Sequence, residues 1–127
     1  MSLNPQHDYV HLATDGSATA LAGGDAFWQL PEAEAARYGG GWLVAEFEFM
    51  ADWPSWEMHP EGDEFVYLLS GEVELILELP GGLSRVPLRG SGAVVVPRGV
   101  WHTARVIAAP SRMLHVTRGA GTQLRPA

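Results

Sequence analysis

The sequence predicts an all-β domain of the sandwich or barrel kind. Short runs rich in Val, Leu, Phe and Trp recur at the roughly 8–12-residue spacing typical of such folds. Between them fall turn residues, and the 127-residue chain holds 15 Gly and 9 Pro. No helical segments alternate with the strands, which argues against a parallel α/β sheet.

The first 24 residues carry mixed signals, with YVHL at 9–12 readable as a short strand and the Gly-, Ser- and Ala-rich stretch after it as loop or edge strand. Residues 26–30 are apolar. PEAEAARY at 31–38 is the one convincing helical turn or two, since Pro31 suits a first helical position, Glu32 and Glu34 sit in the positive first turn, and Gly39 to Gly41 stop it. From residue 42 the rhythm becomes strand, turn, strand. Residues 42–50 set Phe47 and Phe49 on one face and Glu46 and Glu48 on the other, which is expected to face water. Residues 64–69 and 72–79 read as two strands separated by Ser70-Gly71. Pro80, Gly81 and Gly82 turn a hairpin into a return strand at 83–88, and 93–96 (AVVV) is a buried strand ended by Pro97. Strands at 101–108 and 112–117 complete the set, and the tail from 119 reads as loose. Val73, Leu75, Leu77, Val94 and Val96 are the expected core. One domain spans 1–127, with a barrel at about 42–117 and an extended and partly helical segment, 1–41, before it.

Composition excludes several function classes. There is no cysteine, so disulfides, thiolate metal sites and thiol catalysis are out. All eight basic residues are Arg, and the net charge is −7. Neither nucleic acid nor an anionic membrane finds the cationic footprint it needs, so the expected partner is a small molecule. No apolar run is long enough to span a bilayer. The opening MSLNPQHDYV lacks a basic region followed by an apolar one, and a cytoplasmic location is expected.

The chemistry concentrates between Trp56 and Gly71. Glu57 and His59 are two residues apart, so on a strand they share a face. Pro60 to Asp63 form a polar turn, and Glu64 opens the next strand. Some thirty residues on, PRGVWH turns the chain at Pro97 and Gly99 and delivers His102. Two imidazoles and two carboxylates converging inside a barrel make a site suited to a divalent metal ion.

These stretches resemble the cupin superfamily, whose two motifs are G-x5-H-x-H-x(3–4)-E-x6-G and G-x5-P-x-G-x2-H-x3-N. His59 matches the second histidine, Glu64 the glutamate and Gly71 the closing glycine, while Pro97, Gly99 and His102 match the second motif in spacing. Glu57 stands where the first histidine belongs, Ala51 and Ser91 replace the leading glycines, and Val106 replaces the asparagine. The resemblance implies a double-stranded β-helix, or jelly-roll, barrel. It also implies a metal site of His59, Glu64 and His102 with Glu57 as a fourth ligand, holding iron, manganese, zinc or nickel. Activities it implies are of oxygenase, isomerase or lyase type, with a non-catalytic ligand-binding or sensory barrel as the alternative. A homodimer is implied as well, and the apolar Phe27, Trp28 and Leu30 fit one.

Exchanging an imidazole for Glu57 has a definite electrostatic effect. A divalent ion with one carboxylate keeps a charge of +1, whereas a second carboxylate cancels it. The ion then polarises less strongly, and its harder ligand set favours manganese or iron over copper. Without an ion, Glu57 and Glu64 would share a desolvated cavity, and one would be protonated or paired with a histidine. His115 reads as a packed core histidine, Arg98 and Asp63 as solvated turn residues, and Trp56 and Trp101 as packing at the barrel mouth.

Overall fold

The computed structural model describes residues 2–127. Chain order is β1 (Asp8–Leu12), β2 (Ala18–Ala22), α1 (Asp25–Trp28), α2 (Glu32–Ala35), a 3-10 turn (Ala36–Tyr38), β3 (Trp42–Phe49), β4 (Ser55–Met58), β5 (Glu64–Leu79), β6 (Gly82–Leu88), β7 (Ala93–Val96), β8 (His102–Thr117) and β9 (Gln123–Pro126). Every strand pairing is antiparallel. One path of neighbours runs β2-β1-β3-β8-β4-β9, while β5 pairs with β6, β7 and β8. The fold is an all-β jelly-roll barrel.

Two long strands hold both halves of the barrel together. The sequence reads 64–69 and 72–79 as separate strands, and likewise 101–108 and 112–117. Each pair is instead one 16-residue strand, β5 and β8, paired along its length. Register shifts between Leu68 and Val73 bend the ribbon, so its two ends serve opposite layers. The bend is pinned at Gly71, whose φ is +85° and where a Cβ would lie 2.7 Å from Pro110 O and against Ser111. Ser111 is fully buried there, accepting from Glu72 N at 3.1 Å and lying 2.6 Å from Ala108 O, to which its hydroxyl donates. Ser70-Gly71 signals a turn, but β pairing continues through it because the partner strand bends at the same place.

The core forms inside this ribbon. Val66, Leu68, Val73, Leu75, Leu77, Leu88, Val96, Ala104 and Met113 are all buried in one cluster with Trp53, and Val94 packs against it. All five expected core residues therefore contribute. Two other expectations fail. Glu46 is 4% exposed, and Arg112 Nε reaches its Oε2 at 2.7 Å; the N-terminal stretch lies across it, with Pro5 O accepting from Glu46 N. The tail is also ordered: β9 pairs with β4 over four residues, and Arg125 lies over the rings of Trp56 and Trp101 at 5.2 and 4.5 Å. A chain segment without apolar periodicity can still be fixed by backbone pairing and one cation between two indoles.

Truncating Leu75, fully buried at the centre of this cluster, to Ala should cost about 2–5 kcal/mol. Ile107→Ala, at a side chain 54% exposed on β8, should cost less than about 1 kcal/mol. Urea unfolding of both variants measures the contrast, and equal losses would contradict the assigned core.

Candidate metal centre

The two motif turns are tied to each other by backbone. Gly99 N donates to His59 O at 2.9 Å, and Arg98 N donates to Asp63 Oδ1 at 2.8 Å. Asp63 and Arg98 thus face outward as solvated turn residues, and Asp63 caps the opposite turn. The ties bring together the end of β4, the start of β5 and the start of β8. Glu57 and His102 are direct cross-strand partners on β4 and β8, where side chains lie close enough to touch.

All four residues singled out in the sequence meet here. Ligand atoms of Glu57, His59 and His102 lie within 4.8 Å of one another. Glu64 Oε1 is 3.1 Å from His102 Nε2 and 3.6 Å from His59 Nε2, and Glu57 Oε2 is 3.8 Å from His59 Nε2. His59, Glu64 and His102 are buried, whereas the Glu57 side chain is 33% exposed. Glu64 is the more deeply buried carboxylate and reaches both imidazoles, whereas Glu57 comes within 3.8 Å of His59.

Hydrogen-bond accounting fixes what each atom offers. His102 Nδ1 lies 3.0 Å from Val100 O, and a carbonyl only accepts, so Nδ1 carries the proton. His59 Nδ1 lies 2.8 Å from Thr122 Oγ1, whose own proton goes to Gly119 O at 2.8 Å; Nδ1 is therefore the donor here too. Thr117 Oγ1 donates to Glu64 Oε2 at 2.5 Å. That leaves His59 Nε2, His102 Nε2 and Glu64 Oε1 buried without a hydrogen-bond partner among the described residues. The 3.1 Å between His102 Nε2 and Glu64 Oε1 is within reach, but the two are out of line. In the neutral tautomers all three atoms present lone pairs to one another. Only a positive charge, a proton or a cation, makes that arrangement favourable.

The electrostatics point the same way. Burial works against the Glu64 carboxylate, but the imidazoles of His102, His115 and His59 around it outweigh that and hold the group well below the usual carboxylate range. Burial likewise opposes charging His102, and Glu64 overcomes it and raises the imidazole above its ordinary value. Glu64 is thus ionised and paired with histidines, the second of the two arrangements expected of a metal-free cavity.

Sequence reasoning missed three residues of the site. His115, read as packing, is buried but sits with Nδ1 3.5 Å from Glu64 Oε2 and Nε2 unpartnered. Its position two residues before Thr117 on one face of β8 was the available signal. Thr117 and Thr122 lay beyond either motif, and nothing in the spacing marked them. The tryptophans beside the motif residues do pack at the barrel mouth, around Arg125. Above the cluster opens a cavity of about 920 Å³, bounded by β3, the 49–55 bend and the N-terminal helices.

No protein-family model matches the sequence, and no curated protein matches it. Solved structures do resemble the fold. Peruvianin-I, a cysteine peptidase from Thevetia peruviana latex, superposes with a TM-score of 0.58 at 14% identity, covering 68% of this chain and 56% of that one. Hydroquinone 1,2-dioxygenase from Sphingomonas sp. TTNP3, with 4-hydroxybenzoate bound, gives 0.52 at 19% identity over 62% and 60%. Bacillus subtilis oxalate decarboxylase gives 0.53 at 16% identity, over 67% of this chain and 23% of that one. The chain spans less than two thirds of each. At these identities the likeness concerns the fold, and the peptidase's thiol chemistry has no counterpart in a chain without cysteine. With its jelly-roll barrel and its cross-tied turns, this chain shares the barrel fold of these structures, the fold that the motif positions of His59, Glu64 and His102 imply through their resemblance to the cupins.

Proposed function

We propose that this chain is a metal-binding cupin acting on a small molecule, with His59, His102 and Glu64 as principal ligands and Glu57 as a fourth. One observation carries the reading: three buried lone pairs converge while the opposite atom of each side chain is anchored by Val100 O, Thr122 or Thr117. Anchors of this type orient metal ligands and fix their tautomers. The donor set of two imidazoles and one or two carboxylates suits iron or manganese. A bound ion would polarise a substrate oxygen and, if iron or manganese, provide redox chemistry of the oxygenase or isomerase type.

The chain's own residues have separable tasks in this reading. Val100 O and Thr122 keep both Nε2 atoms unprotonated and aimed inward. Thr117 holds one oxygen of Glu64 so that the other faces the imidazoles. Glu57, a third exposed at the rim, supplies a charge that cancels the remaining charge of a divalent ion. The aromatic wall of the cavity keeps water from the reacting end of the ligand.

Elemental analysis and manganese or iron titration test the proposal. His102→Ala should abolish binding, and Thr122→Val should weaken it about 10–100-fold by releasing His59. Glu57→Gln separates four ligands from three: reduced affinity supports the fourth, and unchanged affinity alongside loss in His102→Ala rejects it. Full metal retention in His102→Ala would overturn the centre itself.

Protons compete for the same atoms. The raised value of His102 means that this competition begins at higher pH than for an ordinary histidine, whereas Glu64 competes only in strong acid. Metal affinity should therefore decrease as pH is lowered through the raised value of His102, by up to about one decade per unit from that group. In the metal-free protein the signs separate. Stability from His102 is full below its unfolded value and is lost as pH rises through its raised folded value. Stability from Glu64 is present above its unfolded value and is lost as pH falls through its depressed one. Urea midpoints of stripped protein should therefore peak at mildly acidic pH, and His102→Gln should remove the alkaline decline.

Homodimerisation belongs to the same proposal, since Trp28 is 58% exposed on α1. Sedimentation should give a dimer at micromolar concentration, and a monomer would reject it.

A further inference from the structure

The cavity above the cluster has a composition that bears on what it takes. Six aromatic residues line it: Phe27, Trp28, Tyr38, Phe47, Phe49 and Trp53. They form a connected wall, with ring centroids of Phe27 and Trp28 4.9 Å apart, Trp28 and Phe47 6.2 Å, Phe47 and Phe49 6.3 Å, and Phe49 and Trp53 5.4 Å. The charged lining is one-sided, with Glu48, Asp52, Glu57 and Glu64 among the lining residues and neither Arg nor Lys. Glu48 turns with Glu46 to the other face of β3, where Gln6 and Arg112 meet it, and Asp52 accepts from Val106 N, so a divalent ion would offset the remaining acids, Glu57 and Glu64. An anionic ligand would find no guanidinium or ammonium in the lining to receive it, which costs affinity.

One polar group in the wall is unspent. Trp53 is buried beside the cluster, 6.1 Å from the His102 ring and 5.9 Å from the His115 ring, and its indole N–H has no acceptor among the described residues. A buried donor of this kind is costly unless something accepts from it. The indole can only donate, so the partner must be an acceptor oxygen or nitrogen.

We infer that the cavity binds an uncharged, aromatic small molecule of about two rings, carrying a hydroxyl or carbonyl oxygen that accepts from Trp53 beside the metal centre. There is ample room for it, since 920 Å³ lies toward the upper end of the roughly 300–1,000 Å³ usual for ligand pockets. The inference deepens the metal-centre reading and rests on it for the charge near Glu57 and Glu64 alone; the aromatic wall and the Trp53 donor stand without an ion.

Equilibrium dialysis of manganese-loaded and of chelator-stripped protein against naphthol, naphthoate, naphthylmethylammonium and naphthalene tests it. Naphthol should bind at least about tenfold tighter than naphthoate in both forms. Phe47→Ala should weaken naphthol and naphthalene alike. Trp53→Phe keeps the ring and removes the N–H, so naphthol should lose about tenfold while naphthalene is unchanged. Naphthoate or the ammonium binding as tightly as naphthol, or no detectable naphthol binding, would overturn the ligand class. An unaltered naphthol affinity in Trp53→Phe would overturn the role of its N–H. Manganese content measured on the same samples keeps the outcomes apart: failure of the metal reading appears as no uptake, with the ligand preference still measurable in stripped protein.

Discussion

The burial of the Glu64 carboxylate is the constraint on which the rest of this molecule depends. An ionised carboxylate inside a barrel is tolerated only if the surroundings replace its water. Here they do so from three sides, with Thr117 on one oxygen, His102 and His59 near the other, and His115 behind. His102 is in turn held by Val100 O, and His59 by the Thr122 hydroxyl. The positions of β5, β8 and the 119–122 turn are therefore linked by a polar network that has no neutral alternative.

The scaffold makes that network affordable through its long bent ribbon. Because β5 and β8 each run through the Gly71–Ser111 bend, the hydrophobic cluster along the ribbon and the polar residues at its two ends, Glu64 and Thr117 at one and His102 at the other, belong to the same two strands. Packing of Leu68, Leu75 and Met113 thus sets the rotation of the strands that present Glu64 and His102. The cross-ties from Gly99 to His59 and from Asp63 to Arg98 then fix the remaining freedom of the turns.

The barrel and the four clustered side chains were legible in the sequence because they depend on local signals. Alternating Val and Leu at 73–77 mark one buried face, and Pro97 and Gly99 mark the turn before His102. The continuous strands were not legible, since Ser70-Gly71 signals a turn and only the bend in β8 explains why pairing survives it. Glu46 misled in the same way: a glutamate alternating with Phe47 reads as solvated until Arg112, 66 residues away, meets it. Thr117, Thr122 and His115 act through contacts at long sequence separation, and a hydroxyl without a motif leaves no local trace. The substitution at Glu57 was readable as chemistry, and its exposure at the rim was not.

The segment around Thr122 joins two matters usually treated apart. His59 owes its tautomer to a hydroxyl on the turn that leads directly into a four-residue edge strand, β9, which is held to β4 by few backbone bonds and by Arg125 between two indoles. Short edge strands are the elements that open first in local fluctuations. Each such opening frees the imidazole to rotate or exchange its proton, so the centre alternates between a preorganised and a relaxed state. The residence time of anything held there then follows the lifetime of that small latch, and the outermost strand of the barrel becomes the timer of its interior.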